Sequence, residues 1–358
     1  MIAIIQPFIP HYRDEFFKGL VSELPVEIFT LVNNTKVESR GYKKSRLNTK
    51  HLKNFSIGPI HIYNFFPLLS KKINTIVLMG SVKHLSTWII LILNFAFKKK
   101  IILWGHGISN EKYSKESLKQ PWLRKLMYKM ANYSWFYTEN ELKIWQNQIP
   151  NLRGTALNNT ISDIDKIISK PFPDSTVKKS FKEKYKIKTG INLIICVRFS
   201  NPNRKAELLV ELMQILDTNI YGLIVIGDGP LKPDFNGIKN IYDFGAIYDF
   251  SVKSELFSIA DLYLQPAWNG LSIVEALAHG LPVCTLKRSD HTHQGVEYNY
   301  LTEGLNAILG KNIKELAQKI SEIDIKEYEK MRKSTKNFAK NNLSMKNMIE
   351  KAILTLKE

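Results

Sequence analysis

The segment QPAWNGLSIVEALAHGLPVCTLKR, residues 265–288, carries the densest chemistry of the chain. A strand should end at Gln265, a loop carries Gly270, and a helix is expected from about Leu271 to His279, where Gly280 and Pro282 stop it. A glycine loop that opens a helix leaves backbone N–H groups unsatisfied at the positive end of the helix dipole. That combination suits a diphosphate, with the amides of Gly270, Leu271 and Ser272 pointing at it. One turn further in, Glu275 can accept hydrogen bonds from vicinal hydroxyls such as those of a ribose. The same Ser272-x-x-Glu275 spacing is also that of a capping box, in which both side chains only close the helix end. The residues alone do not choose between these readings.

Two more strand ends add polar groups. After the run Leu193–Val197 come Arg198, then Arg204 and Lys205 in one loop. After Gly222–Ile226 comes GDGP, residues 227–230, whose Gly227 and Gly229 permit a tight turn. Cations at successive strand ends converge on one crevice and can hold a diphosphate as charge develops on it. Taken singly, each is as well explained by a solvated charge or a plain turn.

The elements that must position these groups are short apolar runs alternating with amphipathic stretches. Strands are expected at Ile2–Ile5, Val26–Val32, Thr75–Met79, Ile101–Trp104, Trp135–Tyr137, Leu193–Val197, Gly222–Ile226, Ile241–Phe244, Leu262–Gln265 and Pro282–Leu286. Stretches such as Ala206–Leu216 and Lys253–Ala260 have helical spacing between them. Such alternation predicts α/β architecture, with parallel sheets covered on both faces by helices. The pattern breaks over residues 154–190, which implies two doubly wound domains with a cleft between them. A polar helix from Lys326 to Lys357 closes the chain. In sheets of this kind ligands sit beyond the carboxyl ends of the strands.

At 358 residues, 44% of them hydrophobic and 23% charged, the chain fits two globular domains and not a disordered tail. Cys196 and Cys284 lie in apolar runs and read as buried thiols; no zinc spacing or disulfide framework is present, in keeping with a reducing compartment. The opening residues MIAIIQPFIP read as a first strand and not as a signal peptide. The apolar run Leu85–Phe97 is short of the ~20 residues a spanning helix needs, so a buried or interfacial helix is expected there. Charge is uneven: residues 1–160 carry 23 Lys/Arg against 9 Asp/Glu, a net +14, while residues 161–358 carry 28 against 24, a net +4. An anionic partner for the first half, nucleic acid or acidic membrane, follows from that asymmetry.

In order, Arg198…Lys205, GDGPL (227–231), FGAIYD (244–249), SIADLYLQPA (258–267), GLSIVEALAHGLPV (270–283) and HQGVEYNYLTEGLNAIL (293–309) resemble the donor domain of the retaining glycosyltransferases of family 4, which have the GT-B fold. The resemblance covers about a third of the chain closely. It implies transfer from a UDP- or GDP-sugar, with Arg198 and Lys205 on the diphosphate, assistance from Gly227, Gly229, Gly270, Leu271 and Ser272, and Glu275 on the ribose. It implies residues 1–165 as the acceptor domain, with 338–358 packed back on it, and 166–337 as the donor domain. Two departures stand out. Ala267 occupies the place where the family usually has a further glutamate near the donor sugar, and the longer spacing after Arg198 leaves Arg204 as a rival to Lys205.

In the first half, PFIPHYRDEFFKGL (7–20) and WGHG (104–107) resemble acceptor-side loops of the same family. By that likeness His11, Tyr12 and Arg13 face the acceptor, and His106 lies near the reacting sugar. The Asp163-x-Asp165 pair reads as helix capping in preference to a metal site, so no metal or other cofactor is expected. Residues 112–133 hold six basic residues and one acid with Trp122, Leu123, Leu126, Met127, Tyr128 and Met130 interleaved, and predict a helix lying on anionic lipid. The acceptor implied is a saccharide or lipid-linked saccharide of surface polysaccharide or lipopolysaccharide assembly, at the cytoplasmic face of the plasma membrane. A nucleotide-sugar epimerase of the same fold is the alternative. A basic nucleic-acid-binding module fits less well, because no aromatic residues can be placed on an exposed sheet or groove.

Overall fold

Runs with no polar face become strands buried along their length, as parallel sheets covered on both sides require. In the computed structural model, which describes residues 1–32 and 45–358, Thr75–Met79 and Tyr221–Ile226 are buried at every position. The described chain forms two units, Met1–Asp163 with Met345–Glu358, and Ile164–Ser344.

Unit 1 is built on strands β1 (Ile2–Gln6), β2 (Val26–Thr30), β3 (Lys50–His51), β6 (Thr75–Met79), β7 (Lys100–Trp104), β8 (Tyr133–Phe136) and β9 (Gly154–Ala156). They are parallel in the order β3-β2-β1-β6-β7-β8-β9. An antiparallel hairpin, β4 (Asn54–Ile57) with β5 (Ile60–Tyr63), interrupts the alternation. Its helices are α1 (Asp14–Glu23), α2 (Leu85–Phe97), α3 (Tyr113–Glu116), α4 (Trp122–Met130) and α5 (Glu139–Gln148).

Unit 2 repeats the plan with β10 (Ile191–Cys196), β11 (Tyr221–Ile226), β12 (Ile241–Asp243), β13 (Leu262–Leu264), β14 (Val283–Leu286) and β15 (Ala307–Gly310), all parallel in the order β12-β11-β10-β13-β14-β15. Its helices are α6 (Ile164–Ser169), α7 (Ser175–Lys184), α8 (Leu208–Ile215), α9 (Phe250–Ile259), α10 (Ser272–His279), α11 (Ile313–Glu322) and α12 (Ile325–Asn342). Counted in chain order within the sheet, this is the order 3-2-1-4-5-6 of a doubly wound nucleotide-binding sheet, reversing direction between β10 and β13. Aspartates cap three of its helices: Asp174 accepts from the Val177 amide, Asp249 from the Val252 amide and Asp324 from the Lys326 and Glu327 amides.

Each of the ten expected strand runs contains a strand. The hairpin, β3, β9 and β15 were not among those ten runs: the residues of the first three are mostly polar or exposed, and β15 is a buried run of only four residues. The single helix expected over 326–357 is two: it breaks at Leu343 and Ser344 into α12 of unit 2 and α13 (Met345–Lys357) of unit 1. Thr355 on α13 accepts from the buried Trp135 indole at 2.7 Å, and Ile349 packs on Gly19 of α1 so closely that a Cβ there would stand 2.5 Å away. The helix expected over 112–133 is likewise two short ones, α3 and α4, separated before Pro121.

Candidate functional site

β13 ends at Leu264, and the loop after it is held by buried amides. Gln265 accepts from the Ser272 hydroxyl at 2.7 Å and the Tyr263 hydroxyl at 3.1 Å, and donates to the carbonyls of Ala267 and Trp268 at 3.2 and 2.7 Å. Asn269 donates through Nδ2 to Thr285 Oγ1 at 2.6 Å and to Gln294 Oε1 at 2.9 Å, while its backbone amide donates to the same Gln294 oxygen at 3.0 Å. Trp268 sits at φ +53°, a conformation that costs a non-glycine residue about 1 kcal/mol or more and persists where surroundings dictate it. The loop is therefore fixed before any ligand arrives.

Gly270 differs from the other glycines of this region. Its φ is not left-handed, and a Cβ there would meet nothing nearer than Glu297 Oε2, at 4.0 Å. The fold does not require glycine at this position. The helix that follows has no side-chain cap: the Ile273 and Val274 amides turn back to the carbonyls of Gly270 and Leu271, at 3.1 Å each. Ser272 gives its hydroxyl to Gln265 and not to a first-turn amide, so the capping box that the spacing allowed is not formed. Glu275 is 7% exposed and its Oε1 lies 2.7 Å from Lys253 Nζ on α9. Its charge reaches the end of β10: burial first, then the Glu275 carboxylate, push the Cys196 thiol up to about 12.

Arg198 is exposed two residues beyond β10. It lines a groove of about 230 Å³ together with Cys196, Gly227, Ala246 and Tyr248. Gly227 and Gly229 have φ +133° and +148°, and a Cβ on them would stand 1.8 Å from the Val197 carbonyl oxygen and 2.4 Å from that of Phe199. These two glycines are thus dictated by the neighbouring loop. The Phe199 amide donates to Asp228 O and the Leu231 amide to Phe199 O, strapping the two strand ends together and fixing the base of Arg198. Lys205 ends the 3₁₀ turn Pro202–Arg204 at φ +52° and reaches Thr292 Oγ1 at 3.4 Å. Arg204, beside it, makes its charge felt at the Tyr263 hydroxyl, which is bonded to Gln265: burial raises that hydroxyl, and the Arg204 charge is among the smaller effects opposing it.

In unit 1 His106 follows β7, its ring 4.3 Å from that of Tyr137. Arg13 is buried; its guanidinium donates to Tyr137 Oη at 3.0 Å and to Asn159 Oδ1 at 3.4 Å, and lies 4.9 Å over the Trp104 ring. The sequence marked Arg13 as facing an acceptor; in the structure its terminal nitrogens bind Gln6, Tyr137 and Asn159, on the side where Tyr137 meets His106. His106 keeps one side open to solvent. Crowding on its other sides and then the Arg13 cation push its pKa down to about 4, so the imidazole is neutral near neutral pH. His11 is exposed and Tyr12 half-buried on the same 3₁₀ turn, where Tyr12 O accepts from the Ser162 amide at 2.9 Å. Gly107 is demanded by packing, since a Cβ would stand 2.3 Å from the Trp145 indole nitrogen.

Sequence reasoning missed Lys253 and Tyr137, which are carried in from separate elements with no local motif, and gave no role to Gln265, Asn269 and Gln294, although these lie in the segments 265–288 and 293–309. Among the described residues no three His, Cys, Asp or Glu side chains cluster as metal ligands. Asp163 takes a left-handed backbone at φ +63° and its amide donates to Glu15 Oε2 at 2.9 Å. The basic stretch 112–133 turns part of itself inward: Met127 and Tyr128 join the core, and Arg124 binds Glu116 at 2.5 Å and Gly107 O at 3.0 Å.

No family model matches the chain, and no curated protein matches it in sequence. Among solved structures it is similar to Alr3699/HepE of Anabaena in complex with UDP, with a TM-score of 0.69 at 14% identity over 99% of each chain. A glycosyltransferase of Rickettsia africae gives 0.65 at 13% identity over 99% of this chain and 97% of that one. The lipopolysaccharide outer core galactosyltransferase WaaB gives 0.62 at 13% identity over 99% of each. At such identities the likeness speaks for the fold, and the fold is GT-B, with two Rossmann-like domains.

Proposed function

We propose that this protein is a retaining glycosyltransferase related to family 4. It moves a sugar from a UDP- or GDP-sugar to a hydroxyl of a membrane-borne or lipid-linked saccharide, at the cytoplasmic membrane face. The observation that carries this reading is the prearranged loop ending in Gly270, a glycine that neither strain nor crowding demands, at the uncapped start of α10. Backbone amides of 270–272 receive the diphosphate, and Glu275 takes the ribose hydroxyls. Arg198 and Lys205 stabilise the departing diphosphate, and the groove beside Tyr248 takes the base. The bond from the anomeric carbon to the β-phosphate oxygen breaks, the acceptor oxygen bonds that carbon on the same face, and its proton leaves with the diphosphate. No metal is needed, because backbone amides and two cations answer the charge. Neutral His106 serves as hydrogen-bond partner to a sugar hydroxyl, with Arg13 and Tyr137 positioning it, and His11 and Tyr12 meet the acceptor. Support comes from the HepE structures with UDP and with UDP-glucose and from the named activity of WaaB.

The test is release of UDP or GDP from a panel of nucleotide sugars. Arg198→Ala and Lys205→Ala should each lower turnover roughly 10²–10³-fold, as loss of an electrostatic stabiliser does. Full activity in Lys205→Ala with loss in Arg204→Ala would assign the phosphate to the other cation. Recovery of an epimerised nucleotide sugar without transfer would overturn the transferase reading.

A further inference from the structure

α2, LSTWIILILNFAF, is apolar apart from Ser86, Thr87 and Asn94, yet it buries only Ser86, Thr87, Ile90 and Leu91. Its outer stripe stays in water: Ile92 is 58% exposed, Phe95 89% and Phe97 45%. α4 packs beside it and adds Trp122, 74% exposed, and Leu126, 42% exposed. Single exposed apolar residues are ordinary; a contiguous set on two neighbouring helices marks an interaction surface.

Between the helices runs a groove of about 660 Å³ lined by Phe95, Lys98, Lys100, Lys129 and Met130 among others, with no acidic residue in its lining. Not all its lysines are available. Lys99 Nζ donates to the carbonyls of Ser70 and Ile73, at 2.8 and 2.6 Å, and Lys100 Nζ to that of Thr355. Lys98 and Lys129 are exposed. Lysines after α2 also complement its negative end, but that leaves the bare Ile92 and Phe95 unexplained.

We infer that this face of unit 1 docks on an anionic lipid bilayer. Ile92, Phe95 and Trp122 enter the boundary between headgroups and acyl chains, and Lys98 and Lys129 meet lipid phosphates. α2 has 13 residues, about 20 Å at 1.5 Å per residue, and among the described residues no helix is long and apolar enough to cross a membrane. It therefore lies in the interface plane. A second copy of the chain would set like-charged lysines against each other across a two-fold contact. The docking face deepens the proposed reading, since a membrane-borne acceptor needs its transferase at the surface. It differs from the sequence expectation in placing α2 at the centre and Arg124 out of reach of lipid.

Co-sedimentation with vesicles of phosphatidylcholine alone, and of phosphatidylcholine with phosphatidylglycerol, tests it. Binding should require the anionic lipid and fall as salt rises. Lys98→Glu/Lys129→Glu should lower the partition coefficient at least about thirtyfold. Ile92→Ser/Phe95→Ser should lower it about as far while leaving the salt dependence in place. Equal pelleting with both vesicle types, or no loss in either variant, would overturn the inference. So would a soluble dimer that Ile92→Ser/Phe95→Ser dissolves, because the face would then belong to a second copy. Melting curves of the parent and the same variants check that they fold. Loss of vesicle binding in a protein that never binds UDP would defeat the donor reading and leave the docking face standing.

Discussion

Glu275 shows how one spacing can suit two chemistries, of which the structure removes one, the capping box. A capping glutamate would return to the start of its helix, whereas this one is nearly buried against Lys253 and close to the end of β10. Its place one turn into the helix was legible because strand, glycine loop and helix are consecutive in the chain. Lys253 was not legible, because nothing in its own neighbourhood distinguishes it from a solvated helix lysine. Glu275→Gln should weaken UDP binding roughly 10- to 100-fold, the worth of a hydrogen bond to a charged group. Lys253→Met breaks the same ion pair but leaves the carboxylate, so calorimetric titration should show UDP affinity within about threefold of the parent by the same arithmetic. Equal losses in both variants would mean that the pair, and not the carboxylate, matters.

At the scale of elements the apolar runs told where strands lie, because a strand buried on both faces has no polar residue to hide its signal. They could not show the hairpin β4–β5, whose residues are mostly exposed, nor the break at Leu343 and Ser344, where the polar pattern continues through. The GDGP glycines were legible as a turn, but their cause is the loop after β10. Gly227→Ala should cost about 3 kcal/mol in urea unfolding and loosen UDP binding as well, since Val197 and then Arg198 must move. Gly237→Ala, where φ is +79° but nothing lies within 4 Å, should cost only about 1 kcal/mol and leave binding intact. α10 also sets a pH dependence through its last residue. His279 stacks on Phe257 at 4.7 Å, and burial followed by Lys336, Lys170 and Lys253 holds its pKa down at about 3. His84, at about 4 through burial and then His61, behaves alike. Unfolded histidines take a proton near pH 6.5, which these refuse in the folded state. Their contribution is complete above that pH and is lost as pH falls towards 4 and 3. Melting temperature should drop over this window, and His279→Phe should make the drop shallower; an unchanged slope would exclude His279 as a cause.

Over the whole molecule, two sheets of like strand order carry unlike charge, a net +14 on residues 1–160 against +4 on the remainder. The lesser excess lies with the unit that carries Arg198, Lys205 and the α10 amides, so the anion recognition proposed for it would rest on placement and not on bulk charge. A ligand held only there still stabilises the fold by mass action: UDP at 100 times its Kd should add about 2.7 kcal/mol and raise the melting temperature by several degrees. GDP run beside UDP tells which base is preferred. The decisive substitution is Gly270→Ala. Nothing crowds a methyl group at that position, and the backbone there is not left-handed, so the fold should tolerate it. A diphosphate resting on the amides of 270–272 would not. Calorimetric titration of UDP into the parent and into Gly270→Ala, with melting curves of both, should show equal stability and at least about tenfold weaker binding in the variant, a difference of 1.4 kcal/mol or more. UDP affinity unchanged in a Gly270→Ala protein that melts like the parent would contradict the account.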